Sequence, residues 1–212
     1  RRWKRRVIQL ACPCPGRLVL DVCCGTGDLA MGMAAHGATV MGVDFSERML
    51  EVAERRTASN RIEAPESPPQ AQNRPRYIRA DAQRLPFPDD SFDIVTGAYG
   101  LRNLADWELG LREMRRVAKA HGRVVVLDFG KPDNPIWRKL YFIYLRLFVP
   151  CLGRIFCGNA AAYAYILESL QHFPAQHGVA AQMRDLGLTN VRIVSLLGGV
   201  MAINYGEKRH DA

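Results

Sequence analysis

Residues 19–30, VLDVCCGTGDLA, pass from an apolar run straight into Gly25-Thr26-Gly27. Glycine has no Cβ, so a turn built on it lets a small polar ligand approach the backbone closely. Aspartates punctuate the sequence around this turn. Asp21 lies just before it, Asp44 ends the next apolar run, and Asp81 follows the third. A single aspartate is most often a solvated loop residue or a helix cap. Three of them, each at the end of an apolar run, form a candidate binding constellation.

Three ligands use a glycine turn of this kind. A phosphate-binding loop needs a longer glycine stretch ending in Gly-Lys-Ser/Thr, which is absent here. A dinucleotide fold needs G-x-G-x-x-G/A, which Gly25, Gly27 and Ala30 satisfy, with Asp44 for a ribose hydroxyl. That match alone is weak. The third ligand is S-adenosylmethionine (SAM). It asks for an acid before the turn (Asp21), an acid after the second strand (Asp44), and an acid or amide after the third to meet adenine (Asp81, with Ala82). SAM has no pyrophosphate, so the turn need only admit methionine and ribose. Together with LPFPDDSFD (85–93), this set is far more specific than the turn.

These residues need a scaffold. Apolar, β-branched runs at 17–23, 39–43, 77–80, 92–98 and 123–129 read as strands, and 28–35, 47–59 and 107–118 read as helices, with Ser46 as a candidate N-cap. Residues 59–75 read as a loop. Such alternation predicts an α/β fold, a mostly parallel sheet with helices on both faces. After Lys131 the pattern turns helical, at 135–149, 161–170 and 176–185, before two late apolar runs at 191–197 and 200–205. The expectation is one domain over 1–212, with 131–174 as a helical substrate cover.

The bulk composition narrows the function classes. At 48% apolar and 24% charged residues, the chain is an ordinary globular one, without a run long enough for a spanning helix. RRWKRR is basic, but the stretch after it is too short and proline-broken for a secretory signal. The six cysteines show neither CxxC nor zinc spacing, which predicts reduced thiols, no metal site and a cytoplasmic protein. A net charge of +8 suits a nucleic acid or an anionic membrane surface. No RNP-like stretch accompanies it, so nucleic acid is not expected.

On LDVCCGTGD (20–28), ADAQRLPFPDDSFD (80–93), YGLRNLAD (99–106), VVVLDFGKP (124–132) and YAYILESLQHFP (163–174), the chain resembles the ubiquinone/menaquinone biosynthesis C-methyltransferase family, the UbiE/MenG type. The resemblance implies a Rossmann-like class I fold with a seven-stranded sheet whose last strand is antiparallel. It implies SAM as cofactor, with contacts at Thr26, Asp44 and Asp81-Ala82, and methylation of a ring carbon of a prenylated quinol. Two departures stand out. Many members open with a Tyr-Asp segment that covers SAM, whereas this chain opens near RRWKRR, without Met, and that lid is expected to be missing. Many carry Ser where Ala98 stands.

Carbon methylation needs an electron-rich ring carbon, hence an ionised phenol whose ordinary pKa is about 10. A guanidinium favours the phenolate without changing its own protonation. Arg102 is the candidate, with Asn103 orienting the quinol or a water; the competing reading of Arg102 is structural, bridging a strand end to a helix. His172 is a weaker candidate base, and Tyr163, Tyr165 and Ser169 could line the quinol site. The stretch 136–149 is greasy and basic. It reads equally as a buried cover helix or as a surface that meets an anionic bilayer at the inner face of the membrane, with Trp137, Tyr141 and Tyr144 at the interface. Two other functions stay open: an NAD-linked oxidoreductase and a non-catalytic RNA-binding module. Oligomeric state is left open.

Overall fold

The computed structural model describes residues 2–59, 74–157, 168–170 and 172–209, with only the helical backbone for 147–157. Seven strands form one sheet in the order β3-β2-β1-β4-β5-β7-β6. They are β1 (Leu18–Val22), β2 (Thr39–Asp44), β3 (Arg76–Arg79), β4 (Phe92–Ala98), β5 (Ala118–Phe129), β6 (Leu188–Leu196) and β7 (Met201–Lys208). The first five run parallel, and β7 is antiparallel to both its neighbours, as the resemblance implied.

Among the described residues, the helices that accompany the sheet include α1 (Arg2–Ala11), α2 (Asp28–Ala34), α3 (Glu47–Ser59), α4 (Trp107–Val117), α5 (Pro135–Cys157) and α6 (Ala175–Asp185). Strand residues alternate between two apolar layers because successive side chains point to opposite faces. Val124 and Val126 pack with Leu20, Leu111, Met114 and Met183 on the α4/α6 side. Val125 and Leu127 pack with Val7, Leu29, Met33 and Ile203 on the α1/α2 side. Burial on both faces explains why these strands read as continuous apolar runs.

The expected boundaries of α3 and β4 match the observed ones, and Ser46 Oγ accepts from Met49 N at 3.4 Å. Three elements differ most from expectation. α1 falls where the basic run promised only charge; its buried Val7, Ile8 and Ala11 anchor it to the sheet. β5 begins at Ala118, ahead of Arg123, through a register shift opposite Phe92–Ile94. α5 runs on to Cys157. Cys23 and Cys24 follow β1 in the turn and are not part of the strand, Cys23 with φ +54°. Residues 60–73 of the expected 59–75 loop, most of the 161–170 helix, and Tyr163 and Tyr165 lie outside the described residues.

Candidate functional site

Strand order reverses between β1 and β4, and ligands of such sheets bind beyond the strand ends at that point. A cavity of about 310 Å³ opens there, lined by Cys23, Val43, Asp44, Phe45, Ala80, Asp81, Ala82, Gln83, Asn103, Leu104 and Ala105. Backbone strain gathers at the same place: Cys23 and Tyr99, at the ends of β1 and β4, both have positive φ.

The glycine turn sits on the rim. Gly25 has φ +55°, and a Cβ there would project into open space. Gly27 has φ +76°, and a Cβ there would collide with the Tyr77 hydroxyl, so Gly27 is held by space and conformation together and Gly25 by conformation. Arg56 of α3 clamps the turn. Its guanidinium donates to Thr26 O (2.9 Å) and Thr26 Oγ1 (2.8 Å) and pairs with Asp28, which also meets Lys4 of α1 at 3.0 Å. Thr26 thus acts through the shape of the turn, with its own hydroxyl proton left for a second partner. No sequence signal marked Arg56, because it reaches the turn from 30 residues away.

Asp44 is set by two main-chain donors, Gly25 N (2.8 Å) on one oxygen and Ser46 N (2.9 Å) on the other. Each carboxylate oxygen keeps a further lone pair, which suits a vicinal diol. Beside it, Phe45 is 70% exposed, with Arg79 at 5.4 Å from its ring. An aromatic face this open beside a diol-binding acid suits a planar base; the sequence reading passed over it. Asp81 is oriented by Gln83 N (2.9 Å), and Ala82 is buried beside it. The LPFPDD segment that follows is held by Arg116, which donates to Leu85 O, Phe87 O and Asp89.

Asp21 does not line the cavity. It is buried beneath the turn, with one oxygen accepting from Thr96 Oγ1 at 2.9 Å and the other without a partner. Burial pushes its carboxyl up to about 7, against the opposing hydrogen bond from Thr96. Burial, and then the carboxylates of Asp44, Asp21, Asp128 and Asp81, push the Cys23 thiol up to about 12. The thiol is therefore neutral at pH 7. Two acids, Asp44 and Asp81, line this cavity in a chain whose net charge is +8. That local sign suits a cationic ligand, and SAM carries a sulfonium, a ribose diol and an adenine. The residues present fit it.

Arg102 lies one step further on, after β4. Its side chain is 8% exposed and pairs with Asp128 at 2.8 Å; the same nitrogen donates to Tyr99 O, and the guanidinium lies 4.7 Å from the Phe129 ring centre. The structural reading of Arg102 is therefore correct as far as it goes, though the bridge joins two strand ends. Asp128 also accepts from Arg102 N and Phe129 N. Burial nonetheless raises its carboxyl, with Arg102 opposing. Arg102 Nε is buried and has no partner. Asn103 donates to Tyr99 O at 3.2 Å and lines the cofactor cavity, so its position serves that side first.

His172 is exposed, with its ring against Glu168 O, and His177 meets Asp133 at 2.7 Å, so neither faces the cavity. Among the described residues, no three His, Cys, Asp or Glu side chains gather to hold a metal. The described cysteines, Cys12, Cys14, Cys23 and Cys24, are free thiols.

Comparison with known proteins agrees with this geometry. The chain is 37% identical over 212 residues to the demethylmenaquinone methyltransferase of Staphylococcus aureus strain JH9, covering 99% of this chain and 83% of that one. The enzyme of that name from strain Newman matches equally. Among solved structures, a SAM-dependent methyltransferase from Aquifex aeolicus superposes with a TM-score of 0.64 at 17% identity, covering 96% of this chain and 88% of that one. Haemonchus contortus phosphoethanolamine N-methyltransferase 2, in complex with SAM, does so with 0.72 at 14%, covering 99% and 53%. At such identities these two speak for the fold alone. The oxidoreductase and RNA-module alternatives draw no support from the matches. The family described as the ubiE/COQ5 methyltransferase family matches residues 1–208, and the chain belongs to it.

Proposed function

We propose that this protein methylates a ring carbon of a prenylated quinol, with SAM as methyl donor and demethylmenaquinol as substrate. The observation that carries the reading is the cavity lined by Asp44 and Asp81 at the β1/β4 switch point, with Arg102 and its unpartnered Nε in the next turn of chain. The likeness to demethylmenaquinone methyltransferases over almost the whole chain supports the choice of substrate.

When bound, SAM supplies a methyl group whose leaving sulfur departs with the bonding electron pair. Asp44 would hold the ribose diol, Phe45 the adenine face, and Asp81 with Ala82 the adenine edge. Arg102 acts on the acceptor. Asp128 neutralises most of its charge, so it offers the substrate a directed N–H more than a positive field. A donor aimed at the phenol oxygen favours the phenolate over the neutral phenol, so more of the bound quinol is in its reactive form; the phenol proton goes to solvent, and after methyl transfer the ring-carbon proton is lost as the ring rearomatises. Asn103, through Tyr99 O, keeps the β4 end in shape. The test is transfer of labelled methyl from SAM to a short-chain demethylmenaquinol. Label is expected on the ring carbon; absence of transfer by protein that binds SAM overturns the substrate.

The substrate's polyprenyl tail belongs in a bilayer, and α5 supplies the contact. One face of α5 is buried through Tyr141 and Leu145, which removes Tyr141 from the interfacial set. The outer face exposes Ile136, Trp137, Leu140, Ile143 and Tyr144, with Leu197 nearby. Apolar residues on the outside of a helix mark an interaction surface. The helix holds Arg138, Lys139, Arg146 and Arg154 and no acid. Among the described residues no helix is long and apolar enough to cross a membrane; the contact proposed is a peripheral one. Each basic residue near an anionic surface adds about 1 kcal/mol. The protein is expected to sediment with anionic vesicles at low salt. Arg138, Lys139 and Arg146 changed together to Glu should release it and spare activity on a short-chain quinol. Wild type that stays in the supernatant ends this part of the reading.

A further inference from the structure

Tyr141 plays no part in the cofactor cavity, yet it is an unusual residue. Its side chain is 5% exposed and its hydroxyl has no hydrogen-bond partner. Leaving a buried hydroxyl unpaired is unfavourable, so a core position with no other demand on it would take Phe. The second such group nearby is Arg102 Nε.

The two lie around one ring. The Arg102 guanidinium sits 4.7 Å from the Phe129 centroid, and Phe129 packs into the small cluster built on Tyr141, Leu145 and Leu170. Tyr99 leans on the same ring at 5.8 Å, and Phe142 lies 5.7 Å from Tyr141. The Arg102 charge reaches the Tyr141 hydroxyl: burial pushes that phenol up to about 12, and Arg102 works against the rise. Two unsatisfied donors, an N–H and an O–H, buried among aromatic rings match the chemistry of a flat ring that bears oxygen.

We propose that the Tyr141 hydroxyl is a catalytic group that donates a hydrogen bond to a ring oxygen of the quinol, alongside Arg102 Nε. The assignment rests on the quinol reading above and extends it to α5. The cover helix thereby acts in two ways: its outer face meets the lipid, and its inner face grips the head group. A tyrosine raised above its ordinary range stays protonated at pH 7 and so has a proton to donate to the quinol oxygen, which favours the anionic form of the acceptor.

The test is Tyr141→Phe, which removes one oxygen and nothing else. It is assayed with SAM and a short-chain demethylmenaquinol, beside wild type. The expected result is a fall of tenfold or more in kcat/KM for the quinol. The SAM Kd by calorimetry should hold within twofold, and Tm should be unchanged or higher, since an unpaired hydroxyl has left the core. A purely structural hydroxyl would instead lower Tm and leave kcat/KM alone; that result, or wild-type kcat/KM in a stable variant, overturns the assignment while the substrate reading stands. Wild type that binds SAM but fails to methylate the quinol overturns both.

Discussion

Arg102→Ala is expected to lower kcat by roughly a hundredfold or more, the range seen when one preorganised donor to a developing oxyanion is removed. The SAM dissociation constant should stay near wild type, because Arg102 does not line the cofactor cavity. Stability will fall as well. Asp128 is 4% exposed, and without the guanidinium its charge is buried unpaired. Breaking a buried pair from one side costs about 3–5 kcal/mol. Asp128 keeps two main-chain donors, the N–H groups of residues 102 and 129, so the lower end applies. Arg102→Lys separates the two effects. An ammonium restores charge to Asp128 but has no Nε, so stability should return in part and kcat should not. Urea unfolding, calorimetry and initial rates measure the three quantities. Full kcat in Arg102→Lys would remove the residue from the chemistry.

Asp44→Ala should act on the other half of the reaction. Hydrogen bonds to a charged acceptor are worth about 1.5–3 kcal/mol, so SAM binding should weaken by roughly 10- to 150-fold. Part of this loss is indirect, because Asp44 also fastens Gly25 N and Ser46 N. Asp44→Asn keeps the shape and one acceptor oxygen while removing the charge, and it should fall between wild type and Asp44→Ala. Titration calorimetry decides the matter: unchanged affinity in folded Asp44→Ala would take this carboxylate out of the site.

Those two residues also show what could be read before the fold was seen. Asp44 was legible because it ends an apolar run at a fixed interval from a glycine turn, and such strand-end acids are local facts of the sequence. The same holds for β4, whose run FDIVTGA is bounded by Pro88-Asp89-Asp90-Ser91 before it and Tyr99-Gly100 after it. The Arg102–Asp128 pair was not legible, although both residues stood in recognised segments. Their contact depends on the register that sets Ala98 beside Leu127, and register between distant strands leaves no mark on either alone. Arg56 and Phe45 escaped for related reasons: one acts across 30 residues, and the other is an exposed aromatic whose meaning comes from its neighbour. α1 was missed because charge dominates RRWKRR, while the apolar positions that seat it are few: Val7, Ile8 and Ala11.

The place of β7 in the sheet has a consequence for how the chain is made. It lies between β5 and β6, so it is translated after every strand it joins. Until it emerges from the ribosome, β5 presents Val124, Val125, Val126 and Leu127 along an unpaired edge, the kind of edge that recruits other chains. Asn204 of β7 then donates to Gln176 O, and Gln176 brackets both the N–H and the carbonyl of Lys131, on the loop leading into α5. The nascent protein can assemble its glycine turn early, but the loop at Lys131 that leads into α5 waits for the final strand. A chain halted before residue 201 would be a sticky half-sheet, a client for chaperones and proteases.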